Sequence, residues 1–324
     1  MGYGRYVTAR VLWAGVVAYI IATVSFLIMA FSPDPAVSQA VTQAALQGGD
    51  PAEAMERTRE LRGLNQPLYV RYRDYIVSIA TLDWGWSSMR SQPVLDALLE
   101  SLYYTAQYSI PWTILTVIIG PIVGLYSSAN KYSWRDHLAT GFAFFGYAIP
   151  NFFFAIILLL IFGIWLEWVP IIYKVDVPVF SVQNAIQLAL PVFVLVTGSI
   201  GGLMRVSRNE SSEYMNADFV KTARAKGVSP LRAYALHILR PTMVPLSTTM
   251  VGQLLLLFAG SSILVEVVFS IPGLGRTLFR SAVEQDTNLV LGSILVFVFV
   301  GVIGNLLQDL VYTLLDPRIS YEDR

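Results

Sequence analysis

The chain of 324 residues has no cysteine and two histidines, His137 and His237. Without cysteine there are no disulfides, thiolate metal sites or cysteine nucleophiles, and the redox compartment is left undetermined. A histidine-based metal or catalytic centre would need both imidazoles, and their spacing does not support one. Charge is scarce too: Lys, Arg, Asp and Glu make up 14% of the chain and cancel to a net charge of zero. That balance removes any global electrostatic case for nucleic acid or an anionic partner, so a basic cluster has to be interpreted where it lies. There is no G-x-x-x-x-G-K-[ST] phosphate loop in the sequence. The stretch GLGR at Gly273 lacks the lysine, and Pro272, Gly273 and Gly275 read more simply as an outer-loop turn.

What remains is apolar. Hydrophobic residues make up 55% of the chain, outside the range of an ordinary soluble domain, so the sequence describes a membrane protein. A hydrocarbon core of about 30 Å asks for about 20 apolar residues per helix. Six stretches qualify: Val11 to Phe31, Tyr104 to Tyr126, Leu138 to Leu166, Leu188 to Val206, Pro245 to Val268 and Leu289 to Leu315. The first also has flanks that suit a signal peptide, but its apolar run is about twice as long as a signal's. Six spans put both termini on one side. With the N-terminus inside, Arg5, Arg10, Lys131, Arg135, Arg205, Arg208, Lys221, Arg224, Lys226, Arg232, Arg240, Arg318 and Arg324 are cytoplasmic, against Lys174, Arg276 and Arg280 in short outer loops. The excess of inner basic residues predicts that orientation.

The long segment after the first span is then outside. PAEAMERTRELRGL reads as a short amphipathic helix, and in LYVRYRDYIVSIA the residues Leu68, Tyr72, Tyr75, Ile76 and Ile79 share a helical face. A small helical extracellular cap is expected. The aromatic DWGWSS, Asp83 to Ser88, suits either an interfacial tryptophan anchor or a ligand contact. Pro111, Pro121, Pro150, Pro191 and several glycines interrupt the spans, which fits a bundle with an internal path or close helix packing through small residues. No Asp, Glu, Lys or Arg is placed deep in a span, so a proton relay or an ion-coupled carrier lacks its usual residues. An intramembrane serine protease would need a His or Lys at membrane depth, and both histidines lie at cytoplasmic edges.

Within the inner connection from Ser207 to Met243 lies KTARAKGVSPLRA, four basic residues and no acid in thirteen positions from Lys221. Glu210, Glu213 and Asp218 lie early and Lys221, Arg224 and Lys226 late, as a helix macrodipole favours. Gly227 occupies the place of a left-handed C′ residue. Ser229 and Pro230 supply an N-cap and a first-turn proline, and LRAYALHILR then forms a second helix until Pro241 stops it. Phe219 and Val220 are apolar anchors, while Ala217, Ala223, Ala225 and Gly227 leave room for a partner near the backbone. A DNA-binding helix-turn-helix would have little freedom between two membrane helices. A lipid-surface helix is reasonable on charge alone. A docking element for a cytoplasmic protein accounts for the turn, the anchors and the small residues together.

TARAKG followed by the Ser-Pro turn and HILRP resembles the coupling motif of ABC importer permeases, in the version of the dipeptide, oligopeptide and nickel group. The general pattern has an acid and two alanines, then Gly after three residues. Here Lys221 and Thr222 stand at the acid and first alanine, Ala223 and Gly227 match, and any role needing the acid is not carried over. SPDPA, ELRGLNQPLYVRY, GYAIPNFFF with LEWVP, EVVFSIPGLGR and NLLQDLVYTLLDPRI resemble stretches of the B-type subunit over almost the whole chain, in order. The resemblance implies an all-α integral membrane protein of the type I importer permease architecture, with six transmembrane helices, cytoplasmic termini and a helical extracytoplasmic insert. Residues 1–31 would hold the N-terminus and first span, 32–97 the insert, 98–315 the five-helix core with its coupling hairpin at 207–243, and 316–324 a cytoplasmic tail. It further implies a non-catalytic half-channel in the cell membrane, carrying peptides or related solutes such as nickel chelates or oligosaccharides. Its partners would be two cytoplasmic ABC ATPases, a second, C-type permease, an extracytoplasmic solute-binding protein and the lipid bilayer, with no nucleic acid, cofactor or metal. The ATPase-coupling residues would be Phe219, Thr222, Ala223, Arg224, Ala225, Lys226, Gly227, Ser229 and Pro230, with the substrate contacts unassigned.

Overall fold

The structure, a computed structural model, describes residues 3–215, 217–259 and 262–315. The expected tail 316–324, with Arg318 and Arg324, lies outside the described residues. The described chain is almost entirely helical, its sole strands being the two-residue pair β1 (Trp86–Ser87) and β2 (Gln92–Pro93), joined antiparallel.

Helix α1 (Tyr3–Phe31) covers the expected first span and continues below it. Many of its apolar side chains, among them Leu12, Trp13 and Ile20, are exposed, as suits a helix facing lipid. Three helices follow. In α2 (Pro35–Leu46), which the sequence reading missed, the Asp34 carboxylate accepts from Ala36 N and Val37 N and Pro35 starts the first turn. The predicted amphipathic helices are α3 (Pro51–Leu61), capped by Asp50, and α4 (Leu68–Thr81). The Tyr72 and Tyr75 face of α4 packs on Phe26, and the Tyr72 hydroxyl lies 2.7 Å from Thr23 Oγ1 and 2.8 Å from Tyr19 Oη. Because Tyr19 is twelve residues below Phe31, α4 reaches roughly 18 Å down the side of α1 instead of only capping its end.

Two long helices make the centre. Helix α5 (Val94–Ala129) has 36 residues and α8 (Val182–Met215) has 34, about 50 Å each, well beyond the 30 Å of a hydrocarbon core. Both run through internal prolines, Pro111 and Pro121 in α5 and Pro191 in α8. They touch closely: a Cβ on Gly120 would sit 2.8 Å from Leu203 Cβ, and one on Gly124 would sit 2.8 Å from Ser207 Cβ. At mid-length the Trp112 indole N–H donates to Ser199 Oγ at 3.2 Å. Tyr108, Leu188, Val192, Leu195 and Ile200 fill the core between them.

The expected third span, Leu138 to Leu166, is not one rod. It divides into α6 (Trp134–Ala148) and α7 (Asn151–Leu158), which lie at 100° to each other, and a π-helical turn, Leu159–Trp165, continues α7. Pro150 is the cause: it has no N–H, and it holds Ile149 extended at φ −86° and ψ 127°. The expected fifth span, Pro245 to Val268, also divides, into α11 (Arg240–Ala259) and the short α12 (Ile263–Val268). Helix α9 (Asp218–Ala225) and α10 (Pro230–Ala233) precede α11, and α13 (Leu274–Val283) and α14 (Thr287–Leu315) follow it. GLGR is therefore not a simple turn: Gly273 caps α13, and Gly275 is buried in its first turn.

Among the described residues α1, α5, α8 and α14 are each long and apolar enough to cross a membrane, and the bent α6–α7 pair makes a fifth candidate. Polar contacts define two ends. Arg10 near the start of α1 pairs with Asp309 near the end of α14 at 2.9 Å, and at the other end Gln39 Nε2 donates to Gln285 Oε1 at 3.0 Å.

The α5–α8 contact yields a test. Gly124→Leu should force the two helices apart and lower stability by roughly 1–3 kcal/mol, or prevent folding. Gly141→Ala, where no atom lies within 4 Å of the added Cβ, should melt like the parent protein in the same detergent.

Candidate functional site

The polar residues gather at the two ends of the bundle. At the end that holds Arg10 and Asp309, α8 finishes, the chain turns through Ala217, and α9 begins. Glu210 and Glu213 belong to α8, so the first hairpin helix is shorter than expected. Asp218 opens it, and the Lys221 ammonium, 2.9 Å away, holds the Asp218 carboxyl below its usual range.

The turn after α9 has the predicted shape. Gly227 adopts φ +82°, Val228 N donates to Ala223 O at 3.2 Å, and Gly227 N donates to Arg224 O at 3.0 Å. These two bonds make a Schellman motif with glycine at its left-handed position. Ala233 N then donates to the Ser229 carbonyl at 2.8 Å, and Pro230 opens α10. Val220 and Ala223 are buried, so Ala223 faces the hairpin's own interior and is not open to a partner. Phe219 is 47% exposed, and Thr222, Arg224, Ala225, Lys226, Gly227 and Ser229 are exposed with it.

Pro241 does not end the second helix. From α10 the chain passes through a π-helical segment, Tyr234–Leu239, directly into α11, making one rod from Pro230 to Ala259. The physical reason lies in the turn ahead of Pro241. An α-helix would drive the proline ring into the carbonyl four residues back, and a widened i→i−5 turn relieves that contact. The Thr242 hydroxyl donates to Ile238 O at 2.7 Å, back onto its own helix.

Two clusters fasten this end, and sequence reasoning found neither. Asp136, 2% exposed, pairs with Arg208 through Nη2 at 2.8 Å and Nε at 3.1 Å, and it also accepts from Tyr132 N and the Ser127 hydroxyl. It thereby joins the end of α5, the start of α6 and the end of α8. The signal was present in S-W-R-D, where Ser133 caps α6 and Asp136 stands at its third position. One residue along α5, Ser128 accepts from the Ser211 hydroxyl at 2.7 Å and lies 3.2 Å from Tyr234 Oη. Tyr234 Oη also donates to Leu125 O at 2.7 Å.

At the opposite end, Glu266 corrects the view that the spans hold no buried acid. It is fully buried and accepts from Thr105 Oγ1 at 2.9 Å, Tyr108 Oη at 2.6 Å and Arg276 N at 2.8 Å. This carboxylate caps α13 and pins α12 and α13 to α5. Its signal was a single acid in the apolar run before IPGLG. Asp286 does the same for α14: it accepts from Ser87 Oγ at 2.7 Å, Met89 N at 3.0 Å and Leu289 N at 3.1 Å. Of the two tryptophans in DWGWSS, Trp84 stacks on Phe299 of α14 and Trp86 is exposed in β1. No cluster of His, Asp or Glu with metal-binding geometry occurs among the described residues.

The architecture is that of a multi-pass membrane protein: a tightly packed bundle, a helical insert at one end and a capped helical hairpin at the other. The family of binding-protein-dependent transport system inner membrane components matches residues 116–321, and the chain belongs to that family. It is 34% identical to a peptide transport system permease protein of Brucella abortus (strain 2308), over 97% of this chain and 98% of the relative. It is 32% identical to the oligopeptide transport system permease protein AppB of Bacillus subtilis (strain 168), over 98% and 99%. With OppB of Haemophilus influenzae, an oligopeptide transport system permease protein, it shares 28% over 98% and 99%.

The ion pair at the inner cluster can be weighed directly. Asp136→Ala strands the Arg208 guanidinium and should cost about 3 kcal/mol, the low end for a buried pair because 26% of the Arg208 side chain is exposed. The double variant Asp136→Leu with Arg208→Met should recover much of that loss in the same thermal-unfolding measurement.

Proposed function

We propose that this chain is the permease subunit of an ATP-driven peptide importer, forming half of the translocation path and coupling to cytoplasmic ATPases through the hairpin at residues 207–243. The observation that carries the reading is the hairpin itself. Phe219 stands exposed on a short helix whose other face is anchored by Val220 and Ala223, and the rod behind it runs unbroken to Ala259. A helix so held presents one apolar side chain to a cleft and moves as a body when the cleft moves. The names of the relatives support peptides as the solute.

The remaining parts follow the same reading. The chain crosses the inner membrane six times, with α11 completing the set of α1, α5, the bent α6–α7 pair, α8 and α14. Both termini are cytoplasmic, supported by the Arg10–Asp309 pair and by the basic residues around the hairpin. Residues 32–97 form the extracytoplasmic insert, on the side where a solute-binding protein delivers substrate, and 98–315 form the core that pairs with a second permease. The chain is not itself an enzyme; two partner ATPases bind and hydrolyse ATP. Phe219, Thr222, Arg224, Ala225, Lys226 and Gly227 form the surface that enters the ATPase cleft, while Ala223, Ser229 and Pro230 shape the hairpin beneath it.

Gly227 is the sensitive position, because a β-branched residue at φ +82° costs roughly 1–2 kcal/mol although no atom stands in its way. Gly227→Val should lower ATPase copurification and peptide uptake by about tenfold. Parental levels of both would refute the assignment of the hairpin.

A further inference from the structure

Coupling needs a route from the hairpin into the bundle, and the polypeptide connections alone lead only to α8 and α11. The structure contains one more link. Tyr234 is the first residue of the π-helical segment, and its hydroxyl crosses to α5, donating to Leu125 O at 2.7 Å and lying 3.2 Å from Ser128 Oγ. Ser128 in turn accepts from Ser211 of α8 at 2.7 Å. The neighbouring Ser127 donates to Asp136, whose partner Arg208 also lies on α8. The last turns of α5 thus bind α6 and α8 through one cluster and the hairpin through the other.

We infer that Tyr234 is a positioning residue of transport, the strut through which movement of the hairpin is imposed on α5 and, with it, on the α5–α8 pair that forms the centre of the bundle. Three features support this role over simple filling of space. The contact is polar and directional, made by a hydroxyl to a main-chain carbonyl, so it resists sliding as well as separation. It joins elements more than a hundred positions apart in sequence, where no covalent link constrains them. It stands where the helix changes from α to π, and such single π turns recur at functional sites because they re-aim a side chain that a regular helix would point elsewhere. The Ser128 and Ser211 hydroxyls pack on the acceptor side, with Ser211 Oγ also 2.7 Å from the Ser207 carbonyl of its own helix. With the strut in place, α5, α8 and the hairpin move together; without it, the hairpin can follow the ATPases while α5 stays behind.

This rests on the reading of the hairpin as the ATPase contact, and the test separates the two. The chain has no cysteine, so Ser229→Cys, an exposed and nearly isosteric change beside the proposed contact surface, provides a single reactive site for crosslinking to the ATPase. The transporter is assembled with its ATPases, second permease and binding protein in liposomes, with Tyr234 either kept or replaced in Tyr234→Phe, which removes only the hydroxyl. The expected result is an unchanged crosslink yield, with the number of ATP hydrolysed per peptide imported raised by roughly fivefold, the size expected for one lost hydrogen bond between two states. Tyr234→His, which keeps a ring with a polar donor, should restore part of the ratio. An unchanged ratio in Tyr234→Phe with the crosslink intact overturns the strut and leaves the hairpin assignment standing. A decrease confined to the amount of assembled transporter, at parental ratio per complex, marks Tyr234 as a folding residue and also overturns it. Absence of the crosslink with Tyr234 in place overturns the hairpin assignment itself.

Discussion

The close approach of α5 and α8 is the constraint on which the rest of the structure depends. Two helices of 36 and 34 residues can lie this near each other only because Gly120 and Gly124 remove side chains where Leu203 and Ser207 come in. In lipid there is no hydrophobic gain from bringing apolar helices together, so dispersion contacts over such a smooth seam have to supply the attraction. The other helices are arranged around that pair: α6 and α7 bend over α8, α11 packs against both, and α14 lies between α11 and the peripheral α1.

Buried charge divides along this axis. The middle holds apolar side chains with buried hydroxyls such as Thr113, Thr116 and Thr197 and the Trp112–Ser199 hydrogen bond, while each end carries a carboxylate that is almost fully buried and several times satisfied. Asp136 joins three helices at the hairpin end through an ion pair, whereas Glu266 at the other end is held by hydroxyls and main-chain N–H groups. Each stands at a helix N-terminus, where unpaired donors and a partial positive charge favour a carboxylate. Both ends are therefore fixed by geometry-specific bonds.

Much of this was legible in the sequence because the governing signals are local. The apolar stretches of α1, α5, α8 and α14, the amphipathic faces of α3 and α4, and the Gly227 cap each depend on residues close to one another in the chain. What escaped depends on distance. Glu266 reads as an isolated acid until Thr105 and Tyr108, some 160 residues earlier, come to meet it, and Tyr234 reads as one aromatic among many until Leu125 lies beside it. Proline reads differently once its tertiary setting is known. Pro150 reads as a tolerated interruption but bends its span by 100°, while Pro241 reads as a stop but is carried through the π-helical segment. Whether a proline breaks a helix depends on how the turn before it accommodates the ring and the freed carbonyl.

That continuity matters for how the molecule can work. Had Pro241 ended the second helix, a joint would separate the segment that begins at Pro230 from α11 and the bundle. A rod from Pro230 to Ala259 instead transfers rotation at one end into displacement at the other, over roughly 45 Å for its 30 residues. The π turn costs some helical stability, but it lets a proline sit inside the rod without breaking it. Tyr234 opens this π segment and bonds to α5, so the stretch that carries the proline is also the one fastened to the centre of the bundle.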